Sequence, residues 1–128
     1  MASRILIVDD EPNIVISVEF LMRHEGWETA VAEDGEAALE ALGRQKPDLV
    51  ILDVMLPGMS GFDVCERIRA EPRWRGVRIL MLTAKGRETE VSRGMRAGAD
   101  VYLTKPFSTK ELVDHVRRLL GAEGQGSP

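Results

Sequence analysis

The stretch LVILD at residues 49–53 joins four consecutive apolar residues to a terminal acid. Two similar apolar runs lie on either side of it in the chain, ILIV at residues 5–8 and ILML at residues 79–82. Continuous rather than alternating apolar runs are typical of parallel strands that are covered on both faces. The three runs therefore predict the centre of a parallel sheet with helices on both sides.

Strand-like and helix-like segments alternate along the whole chain. We predict strands at Arg4–Val8, Glu28–Ala32, Leu49–Leu52, Val77–Leu82 and Val101–Thr104, because β-branched and other apolar residues cluster there. The segments between them carry apolar residues at helical spacing. Strict alternation at this length predicts right-handed crossovers and an open, doubly wound α/β sandwich.

Helix ends are also marked in the sequence. Residues that favour a helix start mark the beginnings of four predicted helices: Pro12 in a first turn, Asp34 as a cap, and the capping-box pairs Ser60–Asp63 and Ser108–Glu111. Glycines stand where three helices should end: Gly26, Gly43 and Gly98.

Length and composition indicate one ordinary domain. The chain has 128 residues, of which 44% are hydrophobic, enough for a core. We assign residues 1–121 to the domain and residues 122–128, which are rich in Gly, Ser and Gln, to a flexible C-terminal tail or the start of a linker.

Charge, cysteine content and hydropathy exclude several classes of function. A net charge of −4 is the wrong sign for a nucleic-acid surface. Cys65 is the lone cysteine, so we expect a buried or half-buried thiol in a reducing compartment. No apolar run approaches the roughly 20 residues of a membrane helix. We therefore expect a cytoplasmic domain that binds neither membrane nor nucleic acid directly.

Polar residues stand at the carboxyl ends of four predicted strands. Asp9 and Asp10 follow the first strand, and Asp53, Thr83 and Lys105 close the third, fourth and fifth. Each alone has an ordinary explanation, such as a helix cap, a turn residue, a backbone-bonded hydroxyl or a solvated charge. Ligands of doubly wound sheets bind outside these strand ends, however, so the joint placement indicates a functional site.

These residue types suit phosphoryl chemistry. Three carboxylates at one edge favour raised pKa values or a bound cation, and oxygen ligands suit Mg²⁺ (or Mn²⁺), to which the Met55 backbone carbonyl could add a ligand. Asp53 is the candidate nucleophile, while Lys105 and Thr83 can stabilise phosphoryl oxygens. No His or spare carboxylate is clearly placed to activate water, so we predict no enzyme that turns over an external substrate.

From Arg4 to Leu120 the sequence resembles the receiver domains of two-component response regulators. The resemblance rests on four segments: ILIVDDEP at 5–12, LVILDVMLPGMSGFDV at 49–64, ILMLTAK at 79–85 and GADVYLTKPF at 98–107. It implies a flavodoxin-like fold with five parallel strands in the order 2-1-3-4-5 and five helices. It also implies phosphorylation at Asp53, metal binding by Asp9, Asp10 and Asp53, and phosphoryl binding by Thr83 and Lys105.

The same resemblance implies partners and a switch. The phosphoryl donor would be a histidine kinase or a His phosphotransfer protein. Phosphorylation would draw in the Thr83 hydroxyl and let Tyr102 turn inward. A cis peptide is expected before Pro106, and an unknown output domain or downstream protein would bind the face from Arg87 to Leu120.

Two features leave alternatives open. Winged-helix regulators of this family often have a second acid where this chain has Val101, so we expect a monomer or weak dimer rather than their charged dimer. An aspartate-dependent phosphatase would usually have an Asp at the position of Met55, and a flavin site would not tolerate the acidic DDEP segment. The alternative that remains is a receiver-like interaction module that is never phosphorylated.

Overall fold

Five strands alternate with five helices in a computed structural model that describes residues 2–84 and 88–121, apart from the side chains of residues 88–91 and 94. The strands are β1 (Arg4–Val8), β2 (Glu28–Ala32), β3 (Leu49–Asp53), β4 (Arg78–Ala84) and β5 (Val101–Lys105). The helices are α1 (Pro12–His24), α2 (Gly35–Arg44), α3 (Gly61–Ala70), α4 (Glu88–Ala97) and α5 (Thr109–Leu120). A short 3-10 helix spans Pro72–Trp74.

All strands pair in parallel in the order β2-β1-β3-β4-β5. The predicted doubly wound, flavodoxin-like fold is therefore confirmed. The register aligns Asp53 of β3 with Leu82 of β4, and Ala84 of β4 with Lys105 of β5. The carboxyl ends of these three strands consequently meet at one edge of the sheet.

The sheet separates two apolar cores, and the continuous runs in the sequence supply both. In β3, Leu49 and Ile51 pack into the core beneath α1 and α5, whereas Val50 and Leu52 pack into the core beneath α2 and α3. All four side chains are fully buried. Because successive side chains of a strand point to opposite faces, a strand covered on both sides has no position for a polar residue before its end.

Most of the predicted boundaries agree with the structure. Pro12 begins α1, Asp34 caps α2, and both predicted capping boxes form at the starts of α3 and α5. The prediction for Gly43 is wrong: this residue is helical, and α2 ends at Arg44 with an extended Gln45 after it. Gly26 and Gly98 do adopt positive φ beyond α1 and α4, at 93° and 110°.

Cys65 is fully buried, as predicted, and its thiol donates to the backbone carbonyl of Ala97 at 3.4 Å. Burial raises the pKa of this thiol to about 11. Residues 85–87, where the expected output face begins, and the expected tail at 122–128 lie outside the described residues. Among the helices that are described, none has the length and apolar character needed to cross a bilayer.

Candidate phosphoacceptor site

Four of the predicted site residues come together at the carboxyl edge of the sheet. Asp9 and Asp10 follow β1, and Asp53 and Lys105 are the last residues of β3 and β5. Because β1 and β5 flank the central pair β3 and β4, Lys105 must extend across the edge to meet Asp9. Although the two residues are 96 positions apart in the sequence, Nζ of Lys105 lies 3.4 Å from Oδ2 of Asp9.

The acidic cluster has the composition of a divalent cation site. Ligand oxygens of Asp9, Asp10 and Asp53 all lie within 4.8 Å of one another. Asp9 and Asp53 are buried, with 1% and 4% of their surfaces exposed, whereas Asp10 faces solvent. Oxygen donors that are partly open to water fit a hard cation such as Mg²⁺, which keeps several of its own waters.

Burial and Asp9 make ionisation of Asp53 costly. Desolvation, followed by the neighbouring charge of Asp9, raises the pKa of Asp53 to about 6, although Lys105 and the backbone N–H of Met55 oppose this increase. The Met55 N–H donates to Oδ1 of Asp53 at 3.3 Å. One lysine therefore does not fully compensate the buried acids, and a further cation would be favoured.

Lys105 lies among three carboxylates. Its Nζ is 3.4 Å from Oδ2 of Asp53, 3.4 Å from Oδ2 of Asp9 and 3.1 Å from Oε1 of Glu11. Burial disfavours the ammonium, but the hydrogen bond to Glu11 and the charges of Asp53 and Asp9 outweigh it and raise the pKa of Lys105. The group stays charged at neutral pH. The next peptide bond, Lys105–Pro106, is cis.

An open cleft of about 490 Å³ gives access to these groups. Its walls combine the polar residues with small and apolar ones: Asp10, Glu11, Asp53, Met55, Leu56, Pro57, Ala84 and Lys105. The small Ala84 leaves space beside Asp53, and Met55 is largely exposed at the rim. A tetrahedral phosphoryl group can therefore approach the carboxylate from solvent.

Thr83 and Tyr102 lie together on the sheet face that is covered by α2, α3 and α4. The register pairs Met81 with Tyr102 and Thr83 with Thr104, and paired residues of parallel strands direct their side chains to the same face. Thr83 is buried and Tyr102 is half-buried against the core on this face. The register thus places Thr83 near the carboxyl edge of the sheet, on the same face as Tyr102 and two residues beyond Met81, the residue that pairs with Tyr102.

Gly61 packs its backbone directly against the end of β3. Its N–H donates to the carbonyl of Val54 at 2.9 Å, and a Cβ at this position would come within 2.8 Å of the Val54 Cα and closer still to the Asp53 carbonyl oxygen. Only a residue without a side chain fits here. The start of α3 therefore supports the backbone that carries Asp53.

Gly61→Ala is expected to destabilise the domain by about 1–3 kcal/mol, the usual cost of forcing an extra methyl group into a packed site. Gly43→Ala is the matched control: this glycine is helical and has open space where the methyl group of alanine would lie, so the substitution should stabilise α2 by about 0.5–1 kcal/mol. Urea denaturation of both variants measures the difference. Equal stabilities would contradict the proposed support of β3 by Gly61.

Sequence reasoning missed two residues of this site. In the sequence, Glu11 is only one acid of the segment DDEP and directly follows the pair Asp9 and Asp10. In the structure its side chain contacts Lys105. Gly61 escapes notice because its importance depends on a backbone approach between segments that no local pattern reveals. The capping box that begins at Ser60 indicates a helix start, but not what that start packs against.

Comparison with known proteins supports this picture. Residues 5–117 match the family model of the response regulator receiver domain. The DNA-binding response regulator MtrA of Mycolicibacterium smegmatis is 50% identical over 120 residues, which are 94% of this chain and 51% of that protein. The chain thus spans about half the length of the curated relatives it matches.

Solved receiver structures share the fold. The receiver domain of a signal transduction histidine kinase from Syntrophus aciditrophicus is 32% identical, with a TM-score of 0.90 over 96% of this chain and 93% of that one. The receiver domain of sensor histidine kinase PA1611 from Pseudomonas aeruginosa, which has a magnesium ion in its active site cleft, is 31% identical, with a TM-score of 0.87 over 94% and 99%. This chain belongs to the response regulator receiver family, the phosphoaccepting domains of two-component signal transduction.

Proposed function

We propose that Asp53 is the residue that accepts the phosphoryl group. The observation that carries this proposal is the position of its carboxylate: buried at the end of β3, beside Lys105 and two further acids, yet open to a cleft. A carboxylate is a competent covalent acceptor of a phosphoryl group. The ammonium of Lys105, which is already in place beside it, can stabilise the charge that develops on the phosphoryl oxygens.

The proposed step is an in-line displacement. One Asp53 oxygen attacks phosphorus, and the P–N bond of a phosphohistidine donor breaks, with its electron pair moving to the imidazole of the leaving group. Lys105 pairs with one phosphoryl oxygen, and the Thr83 hydroxyl donates to another. The product is an acyl phosphate on Asp53 and a free histidine on the donor.

Asp9, Asp10 and Asp53, with the backbone carbonyl of Met55, would hold Mg²⁺ (or Mn²⁺) at this site. When bound, the cation supplies charge neutralisation and orientation for the phosphoryl oxygens. The three carboxylate side chains fit this role because their oxygens converge and because the charge at Asp53 is only partly compensated. Asp10 is the exposed member of the three.

We propose that the domain catalyses only its own phosphorylation and slow dephosphorylation. Of the acids around the cleft, Asp9, Glu11 and Asp53 pair with Lys105, and Asp10 belongs to the proposed cation site. In this arrangement none of them is a free base that could activate water for repeated turnover.

A histidine kinase or a His phosphotransfer protein is the proposed donor, and the family assignment also leads us to propose a cytoplasmic location.

The output would be an attached domain or a separate protein that binds the Arg87–Leu120 face. MtrA is named a DNA-binding response regulator and is about twice the length of this chain. With a net charge of −4, the receiver itself would not contact DNA, and we propose a monomer or weak dimer.

Thr83 and Tyr102 are the proposed switch, because they share one face of adjacent strands. Thr83→Ala should accept a phosphoryl group but lose most of the phosphorylation-dependent NMR shift changes of Tyr102 and β5, since no hydroxyl connects the phosphoryl group to this face. Thr83→Ser, which keeps the hydroxyl, should preserve them. If Thr83→Ala responds like the parent, this coupling is wrong.

The proposed function is tested by incubating the domain with acetyl phosphate and Mg²⁺ and measuring its intact mass. A single phosphoryl adduct that disappears with chelator is expected. If a folded, metal-binding parent remains unmodified, it does not accept from small donors. Failure with a phosphorylated kinase domain as well would favour the unphosphorylated interaction module.

A further inference from the structure

Glu11 contacts two groups of the site. Its Oε1 accepts a hydrogen bond from Nζ of Lys105 at 3.1 Å, and its backbone N–H donates to Oδ1 of Asp9 at 2.9 Å. Glu11 is also the N-cap residue of α1, but its side chain makes no capping hydrogen bond. The carboxylate is therefore directed to Lys105 rather than to the helix that it precedes.

The three carboxylates match the full donor capacity of Lys105. An ammonium has three N–H donors, and Asp9, Glu11 and Asp53 all lie within ion-pair distance of it. Before the transfer Asp53 is still a carboxylate, so a phosphoryl oxygen of the donor that pairs with Lys105 at this stage must displace one of these three partners.

Burial decides which partner leaves. The side chains of Asp9 and Asp53 are 1% and 5% exposed, whereas that of Glu11 is 61% exposed. Leaving a buried carboxylate without its counter-charge is costly, but an exposed carboxylate is readily hydrated. Glu11 is therefore the partner that Lys105 gives up most easily.

We propose that Glu11 is a positioning residue that holds Lys105 in the unphosphorylated domain and must release it before Lys105 can bind the phosphoryl group. The contact stabilises the starting state and not the phosphorylated one, so it slows phosphorylation. This inference rests on the proposed phosphorylation of Asp53.

The expected effect is modest because the contact is largely exposed. Exposed ion pairs contribute little, and removing this one should accelerate phosphorylation about two- to fivefold. The direction of the change is diagnostic, since a substitution that merely loosened the fold would not increase the rate.

Three variants distinguish loss of the contact between Glu11 and Lys105 from loss of a negative charge near the site. Glu11→Gln keeps the length of the side chain but removes its charge, and Glu11→Asp keeps the charge on a side chain too short for the same contact. Glu33→Gln removes an exposed charge that follows β2 at the same edge of the sheet. Each is labelled with acetyl phosphate at saturating Mg²⁺, and the rate constant is read from the intact mass over time.

Both Glu11 variants should be labelled about two- to fivefold faster than the parent, and Glu33→Gln at the parental rate. Parental or slower rates in the Glu11 variants would overturn the inference. A gain in Glu11→Gln that Glu11→Asp lacks, or that Glu33→Gln shares, would assign the effect to charge alone and also overturn it. A parent without any adduct would overturn the proposed function and this inference together, whereas a labelled parent with unchanged Glu11 variants overturns only the latter.

Discussion

Asp53→Asn should lose the phosphoryl adduct completely, both from acetyl phosphate and from a phosphorylated kinase. The amide is nearly isosteric with the carboxylate, but it is not a competent nucleophile and cannot form an acyl phosphate. Intact mass after incubation with each donor and Mg²⁺ measures the loss. An adduct of parental stoichiometry in this variant would place the acceptor elsewhere.

The loss should not arise from unfolding. The folded pKa of Asp53, about 6, lies above the ordinary value of 3.8, so ionisation costs stability as pH rises through this window, and the full cost is present at pH 7. Without metal, Asp53→Asn should therefore be at least as stable as the parent at pH 7. Asp114→Asn, which removes an exposed acid paired with Lys110, should be phosphorylated normally.

Asp10→Asn should weaken Mg²⁺ binding by at least about 10- to 100-fold, the effect that even indirect partners of metal ligands usually have. In the parent, Mg²⁺ at 100 times its Kd should increase the free energy of unfolding by about 2.7 kcal/mol. At the same concentration the variant should keep at most about 0.4–1.4 kcal/mol of this gain, for a 100-fold and a 10-fold weaker site respectively. Thermal unfolding across a Mg²⁺ titration measures both effects.

Glu40→Gln is the control for the metal prediction, because it neutralises an acid on α2 that is exposed and only loosely paired with Arg44. Its Mg²⁺ titration should match that of the parent. If Asp10→Asn retains the full stabilisation by Mg²⁺, Asp10 is not a ligand.

The fold was largely predictable because the main features are local. The continuous apolar runs identified the central strands, and the capping residues located helix starts at Pro12, Asp34, Ser60 and Ser108. Gly43 was misassigned because a glycine can end a helix but does not have to, and nothing local distinguishes the two cases.

The strand ends were less predictable. Asp53 and Lys105 are the last residues of β3 and β5, one residue beyond the predicted ends, and β4 continues through Thr83 to Ala84. We predicted these three strands to end too early, because their last residues are polar or small and interrupt the apolar pattern. In the folded domain, hydrogen bonds to neighbouring strands extend the ladder through them.

The site was predictable by residue type but not by contact. Convergence of Asp9, Asp10, Asp53 and Lys105 follows from their places after parallel strands. The contact between Glu11 and Lys105 joins side chains that are 94 residues apart in the sequence. The raised pKa of Asp53 results mainly from burial, which exists only once the edge of the sheet is packed. Such features arise from tertiary packing.

Location of the phosphoryl group on the parent domain is the most direct test of the proposed chemistry. The domain is phosphorylated with acetyl phosphate and Mg²⁺, the acyl phosphate is trapped by borohydride reduction, and the modified residue is found by peptide fragmentation in a mass spectrometer. We predict modification at Asp53 alone. Modification at Asp9, Asp10 or Glu11, with Asp53 intact, would contradict the assignment of Asp53 as the acceptor.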